Sequence, residues 1–226
     1  MAENSLVVCS DLVKIYETGS VETVALQGLD LTVAPGQLLA ILGPGGCGKT
    51  TLVNILGGLD RPSAGQVWVD GRDLLKLTNV GLSRYRRTKV GFVWRDSTRN
   101  LIPYLTALEN VELPMALAGR GGDRQALAQE LLERVGLGDS RRHHLDHLSV
   151  MQQQLVALAA AVASSPKLLL ADEPSGELDN DAAREILLVL RQLVEQEAVT
   201  VVVATHDASV AGYADTVVEM RDGQIV

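Results

Sequence analysis

The sequence predicts an α/β fold: a mostly parallel sheet covered by helices, with an antiparallel β subdomain at its N-terminal side and an α-helical subdomain inserted in the middle. Three observations carry this. Apolar runs at 38–42, 167–171 and 200–205 are separated by helical patterns, which is the order of strands in a parallel sheet. Alternating apolar and polar residues at 25–33 end at the turn Ala34-Pro35-Gly36-Gln37, as antiparallel strands do. From 101 to 163 the apolar spacing is helical throughout.

In chain order, 6–9 and 25–33 read as short antiparallel strands, followed by the apolar strand 38–42. Next comes Gly43-Pro44-Gly45-Gly46-Cys47-Gly48-Lys49-Thr50-Thr51, which opens a helix over 50–59 with apolar residues at Leu52, Val53, Ile55, Leu56 and Leu59. A hairpin is expected at 64–71. The basic residues Arg84, Arg86, Arg87 and Lys89 read as a solvated helical face, the alternative being a surface near anionic lipid or a membrane protein. Helices at 107–118, 124–135 and 150–163 are separated by glycine-rich or polar breaks. Strand 167–171, helix 182–196 and strand 200–205 follow, and 217–220 with 223–226 form a closing hairpin. The expected organisation is one domain over 1–226, with the core and β subdomain at about 1–94 and 164–226 and the helical subdomain at about 95–163.

A content of 46% hydrophobic residues is ample for a core of this size. The net charge of -8 argues against wrapping a polyanion, so nucleic acid is not an expected partner. Cys9 and Cys47 lie in unrelated contexts, which fits a reducing compartment. The first residues lack a basic segment followed by an apolar one, and the longest apolar run, 155–163, is too short to span a bilayer. The chain is therefore expected to stay in the cytoplasm and not to cross a membrane itself.

The segment from Gly43 to Thr51 stands between strand and helix, the setting a phosphate loop requires. Its glycines let backbone N–H groups converge on phosphate oxygens; Lys49 adds a point charge, and the Thr50 hydroxyl is suited to ligate Mg²⁺. Asp172 and Glu173 end a later apolar strand, at the edge where open α/β sheets bind ligands. Phosphoryl transfer needs a carboxylate to anchor the metal, the role that suits Asp172, and a base or acceptor for the attacking water, the role that suits Glu173. His206 ends the last core strand on the same edge, where an imidazole can hydrogen-bond a terminal phosphate. The catalytic candidates are therefore Glu173, His206 and Lys49, and the metal candidates Thr50 and Asp172.

The ordered set Tyr16, Gly43 to Thr51, Leu148-Ser149 with Gln152, Leu170-Ala171-Asp172-Glu173-Pro174, Ser175-Gly176-Glu177-Leu178-Asp179 and Thr205-His206-Asp207 resembles the nucleotide-binding subunits of ABC transporters, which are P-loop NTPases with a RecA-like core. Gly57-Gly58-Leu59-Asp60-Arg61-Pro62, Leu105-Thr106-Ala107-Leu108-Glu109-Asn110-Val111-Glu112-Leu113-Pro114 and Met220-Arg221-Asp222-Gly223 look like the lipoprotein-releasing and macrolide-exporter branch. The resemblance implies that two such subunits sandwich two ATP molecules with Mg²⁺, each ATP held by one subunit's phosphate loop and the other's signature motif. It further implies that dimer closure moves a separate transmembrane permease, so that the chain sits on the cytoplasmic face of the plasma membrane. Tyr16 matches the aromatic that stacks on adenine, although a lone tyrosine would otherwise belong to core or rim. Ser149 and Gln152 match the signature, Asp179 the loop that crosses the dimer seam, and the stretch after Trp94 through 101–105 the surface that receives the permease.

The chain departs from the family pattern on one surface. Where the family signature reads Leu-Ser-Gly-Gly-Gln or Leu-Ser-Gly-Gly-Glu, this chain has Leu148-Ser149-Val150-Met151-Gln152, and both new side chains are expected to add bulk toward the partner's terminal phosphate. Arg95 stands where the family usually has a glutamine, and Leu155 and Ala160 where it commonly has arginines. A guanidinium cannot ligate a metal, so Arg95 is expected to pair with a phosphate or with Asp96. What the chain offers its own nucleotide is kept apart from Arg95, and what it offers its partner's is damaged. The leading reading is an ATP-hydrolysing motor subunit of an export-type transporter, paired with an intact second subunit in preference to a copy of itself. The rival reading is a non-hydrolytic ATP-binding or regulatory subunit.

Overall fold

The computed structural model describes residues 5–19, 21–176 and 178–226. Strands β1 (Val7–Thr18) and β2 (Val21–Val33) pair antiparallel from Val7↔Val33 to Thr18↔Val21. They are much longer than the short strands the alternation predicts. The register shifts between Cys9 and Leu12, where Asp11 adopts φ 49° and its N–H donates to Asp30 Oδ1 at 2.9 Å. Such a bulge moves the side-chain alternation out of step, so a continuous strand loses its period-two signature at Ser10-Asp11.

After β3 (Leu38–Leu42), the remaining elements are α1 (Lys49–Leu56), β4 (Ala64–Val69), β5 (Arg72–Asp73), α2 (Asn79–Thr88), β6 (Val90–Trp94), α3 (Ala107–Leu117), α4 (Arg124–Arg134), α5 (Val150–Val162), β7 (Leu168–Asp172), α6 (Asn180–Glu197), β8 (Thr200–Thr205), β9 (Thr216–Arg221) and β10 (Gln224–Ile225). The basic run falls on α2 and its C-cap Lys89, but only Arg84 and Arg87 are exposed. Arg86 is half-buried and donates to the Gly58 carbonyl at 2.6 Å, and Lys89 pairs with Asp70 at 3.0 Å, so the expected solvated face holds for half of the run. The strand β6, directly after that run, is an element the sequence reading did not separate. The closing hairpin β9–β10 turns at Asp222 and Gly223, both at positive φ.

Two sheets result, a four-stranded one in the order β2-β1-β4-β5 and a six-stranded one in the order β10-β9-β3-β8-β7-β6. In the larger sheet β9, β3, β8, β7 and β6 run parallel. Both its faces are covered, which is why its central strands read as unbroken apolar runs. Leu38, Ala40, Leu169, Ala171, Val201 and Val203 join the core shared with α3 to α6. Leu39, Ile41, Leu168, Leu170, Val202 and Ala204, the alternate residues of the same strands, join the core shared with α1 and the smaller sheet.

Helix α5 lies close enough to β6 that a Cβ on Gly91 would run into the Ala161 carbonyl. Both α3 and α5 begin with a capping box, Thr106 with Glu109 and Ser149 with Gln152, so each helix end is fixed by its own side chains. The buried Gln154 on α5 donates through Nε2 to the carbonyls of Trp94 and Pro174, both at 2.9 Å, and ties the helix to the ends of β6 and β7.

Candidate functional site

The parallel register brings the ends of four strands together. Leu42 pairs with Thr205, Asp172 with Ala204 and Trp94 with Asp172, so the loops after β3, β8, β7 and β6 open on one edge. The loop after β3 is fixed by its glycines. Gly48 caps α1 at φ 106°, and a Cβ there would strike the Ala25 carbonyl; one on Gly43 would meet the Met220 carbonyl and lie 2.7 Å from Cys47 Sγ. Gly45, Gly46, Gly48, Thr51, Thr23 and Ala25 help to line a cavity that Lys49, Thr50 and Glu173 also border. Pro44 and Cys47 complete the turn, the Cys47 N–H donating to the Pro44 carbonyl.

The Lys49 ammonium is buried and folds back on its own loop, donating to the carbonyls of Gly43 at 2.7 Å and Pro44 at 3.0 Å. It stands 3.9 Å from Glu173 Oε1. Thr50 Oγ1 donates to Asp172 Oδ2 at 2.8 Å. The second oxygen of Asp172, Oδ1, is buried with no hydrogen-bond partner among the described residues. Burial pushes the Asp172 carboxyl above its ordinary value, the Thr50 hydrogen bond opposes this, and the neighbouring Glu173 charge adds to it. A buried carboxylate oxygen lacking a donor, beside a hydroxyl, is what a hard divalent cation would satisfy, so Thr50 and Asp172 fit Mg²⁺.

Glu173 leaves β7 with its backbone at φ 51°, and its N–H donates to the Ala204 carbonyl. Its Oε2 accepts from Thr205 Oγ1 at 2.8 Å and lies 2.9 Å from His206 Nδ1, while Oε1 faces Lys49. The structure thus brings Lys49, Thr50, Asp172, Glu173 and His206 together.

Tyr16 stands apart from this cluster, against the first turn of α1. Burial raises its phenol, a hydrogen bond with Thr51 opposes this, and its hydroxyl donates to Asp60 Oδ2 at 2.8 Å. The Lys14 ammonium sits 4.7 Å from the Tyr16 ring centroid and 2.7 Å from Asp60 Oδ1. One face of the ring is thereby used, and the residue as a whole remains 37% exposed.

Among the described residues Ser149 and Gln152 bond each other and not the Lys49 cluster, Ser149 N–H donating to Gln152 Oε1 at 2.9 Å and Gln152 N–H to Ser149 Oγ at 3.2 Å. The expectation that both Val150 and Met151 crowd this helix end is corrected for Met151. Its side chain is partly buried and packs against the helical core, whereas Val150 is turned out, 52% exposed. Asp179 caps α6, and Glu177 of the same motif lies outside the described residues. Arg95 lays its Cγ, Cδ and Nε against Gly176, and Asp96, suggested as its partner, caps the following turn by accepting the Thr98 N–H. Sequence reasoning missed Lys14 and Gln154, and it quoted Asp60 and Thr205 as motif residues without giving either a role. Of these only Thr205 carried a signal, its place beside His206 at a strand end.

The family model described as ABC transporter matches residues 26–176, which take in the phosphate loop, α3 to α5 and the Asp172-Glu173 pair. The chain belongs to the ABC transporter family. An ABC relative, the macrolide export ATP-binding/permease protein MacB of Syntrophobacter fumaroxidans, is 43% identical over 223 residues, which is 97% of this chain and 31% of that protein. The chain thus spans about a third of the MacB relative's length. An uncharacterised ABC transporter ATP-binding protein of Thermotoga maritima is 45% identical over 216 residues, covering 95% of this chain and 91% of that protein. Among solved structures, the ABC cassette MJ0796, dimeric in a post-hydrolysis state bound to ADP and Pi, superposes with a TM-score of 0.88 at 38% identity and covers 97% of this chain and 96% of its own. The fold is that of an ABC ATPase cassette.

Proposed function

We propose that this chain is the ATP-binding subunit of an export-type ABC transporter, hydrolysing ATP to ADP and phosphate so as to drive a separate membrane permease. The observation that carries this reading is the juxtaposition of Lys49 and the Thr50–Asp172 pair with Glu173, whose Oε1 faces the phosphate-loop lysine at 3.9 Å. The glycine-lined amides and Lys49 bind the phosphates, and Tyr16 offers its open face to adenine. Glu173 orients the attacking water and accepts its proton, and His206 beside it holds the terminal phosphate. When bound at Thr50 and Asp172, Mg²⁺ supplies charge neutralisation on the phosphate oxygens. All of 1–226 acts as one ATP-binding domain with its helical part at about 95–163.

The permease docks in the groove between β6 and the helices α3 and α5, lined by Arg87, Phe92, Ile102, Leu113, Leu117 and Ala160, with the exposed Tyr104 nearby. No helix among the described residues is long and apolar enough to cross a membrane. Attachment to the cytoplasmic face of the membrane runs through the permease. The second ATP-binding subunit is a different chain with an intact signature, because two-fold symmetry would otherwise copy Val150 into both sites. Purifying the tagged chain from its native membrane and identifying the subunits that come with it tests this. A permease plus an ABC subunit bearing both signature glycines is expected; a self-dimer without a permease would overturn it.

A further inference from the structure

Thr205 connects the phosphate loop to the carboxylate opposite it. It is the last residue of β8 and is 1% exposed. Its carbonyl accepts the Gly43 N–H at 3.2 Å, the first amide of the phosphate loop. Its hydroxyl makes two bonds of fixed sense. It accepts from the Asp207 N–H at 3.1 Å, because a backbone N–H only donates, and it gives its single proton to Glu173 Oε2 at 2.8 Å, because an ionised carboxylate only accepts. The direction of the hydroxyl is therefore not free to reverse.

We infer that Thr205 is a positioning residue for the hydrolytic reaction: its hydroxyl, held by Asp207, pins Glu173 Oε2 so that Oε1 is left facing the phosphate-loop lysine. The argument is one of valence. Glu173 has two oxygens, and if Oε2 were released the side chain, which leaves the strand from a positive φ, would be free to rotate and present either oxygen to the H-bonding histidine or to Lys49. His206 does not supply this restraint alone: its ring is largely exposed, and its backbone N–H reaches Oε2 only at 3.4 Å, against 2.8 Å for the Thr205 hydroxyl. Thr205, buried and bonded on both sides, is the fixed point. A hydroxyl one residue before the histidine thus sets the aim of the carboxylate, at a small distance where misplacement is costly in rate.

This inference rests on the reading of Glu173 as the group that orients the attacking water, and its test separates the two. Thr205→Val and Thr205→Ser are to be compared with wild type in the assembled, permease-bound complex, alongside a nucleotide-free crystal structure of Thr205→Val. Thr205→Val is expected to lower kcat about tenfold or more while KM for ATP stays within about twofold, and Thr205→Ser to recover most of the rate. A purely structural role would not give that split with serine rescue. The crystal structure is expected to show the Glu173 carboxylate moved off the His206 side. Wild-type kcat in Thr205→Val, or a fall that serine does not restore, would overturn the inference. Should the valine variant not fold, Thr205→Ala is read in the same way. If the wild-type complex itself releases no phosphate, the hydrolytic reading fails, and the crystal structure alone decides: an unmoved carboxylate overturns the role of Thr205 and a displaced one upholds it.

Discussion

Thr50 and Asp172 are joined by a 2.8 Å hydrogen bond to Oδ2, and the other oxygen of Asp172 is buried without a partner among the described residues. Burial is the largest cause that raises this carboxyl above its ordinary value of 3.8. A raised value in the folded state means that its contribution to stability without nucleotide is present below 3.8 and is lost as pH rises through the raised value. At neutral pH the ionised group is a cost that a bound cation would offset. Asp172→Asn is therefore expected not to lower the nucleotide-free Tm. Wild type should gain about 5–10 °C at ~100 Kd of Mg·ATP, and the variant less than half of that. Differential scanning calorimetry with and without Mg·ATP checks both halves; an equal gain in the variant would remove Asp172 from the metal site.

The platform at Tyr16 is held by Asp60. Burial acts to raise the Asp60 carboxyl, but hydrogen bonds from Lys14 and Tyr16 hold it below its ordinary value of 3.8. Its contribution is accordingly present above that value and lost as pH falls through the lowered one. Tyr16→Ala is expected to weaken ATP binding about tenfold with little change in kcat, since one stacked base is worth ~1–3 kcal/mol. Titration calorimetry and steady-state kinetics measure the two parts, and a loss confined to kcat would take Tyr16 out of the adenine site.

At the signature, the side chain that stands out is Val150, while Met151 is partly buried against the core. Val150→Gly is expected to raise turnover in the assembled complex. Met151→Gly is expected chiefly to lower stability, by about 1–3 kcal/mol, through lost packing and a glycine in the first turn. The double variant should then combine the rate gain with a lower Tm. No change in turnover with Val150→Gly, in a complex that still assembles, would mean that the valine does not obstruct the partner's nucleotide.

Gln154 satisfies two carbonyls with one amide nitrogen. Gln154→Leu keeps the volume and leaves both carbonyls without that donor, at a cost of about 2–4 kcal/mol. A fall in Tm of about 5–15 °C is expected. A change of less than about 2 °C would show that the carbonyls find other partners.

The elements with a clear period were legible in the sequence. Residues 38–42, 150–163 and 200–205 were placed to within a residue or two, because apolar runs between turn signals leave few alternatives. The long strands β1 and β2 were legible only in part: 25–33 was read within β2, but β1 was cut to 6–9, since the bulge at Asp11 interrupts its alternation. That Lys49, Thr50, Asp172, Glu173 and His206 lie together was legible because their strands end on one edge, which strand order alone implies. What was missed depends on contacts across distance. Thr205 meets Glu173 over 32 positions, Tyr16 meets Asp60 over 44, and Gln154 meets Trp94 over 60. No local pattern encodes such pairs. Met151 is different: it falls with Leu155, Leu158 and Val162 on one helical stripe, and that spacing alone would have turned it inward.

Phosphate release by the assembled complex, measured for wild type and for Glu173→Gln, tests the central claim most directly. Steady turnover by wild type, reduced at least ~10²-fold in Glu173→Gln with ATP still bound, is the predicted result. Equal phosphate release by the two proteins, or none by an assembled wild-type complex that binds ATP, would contradict it.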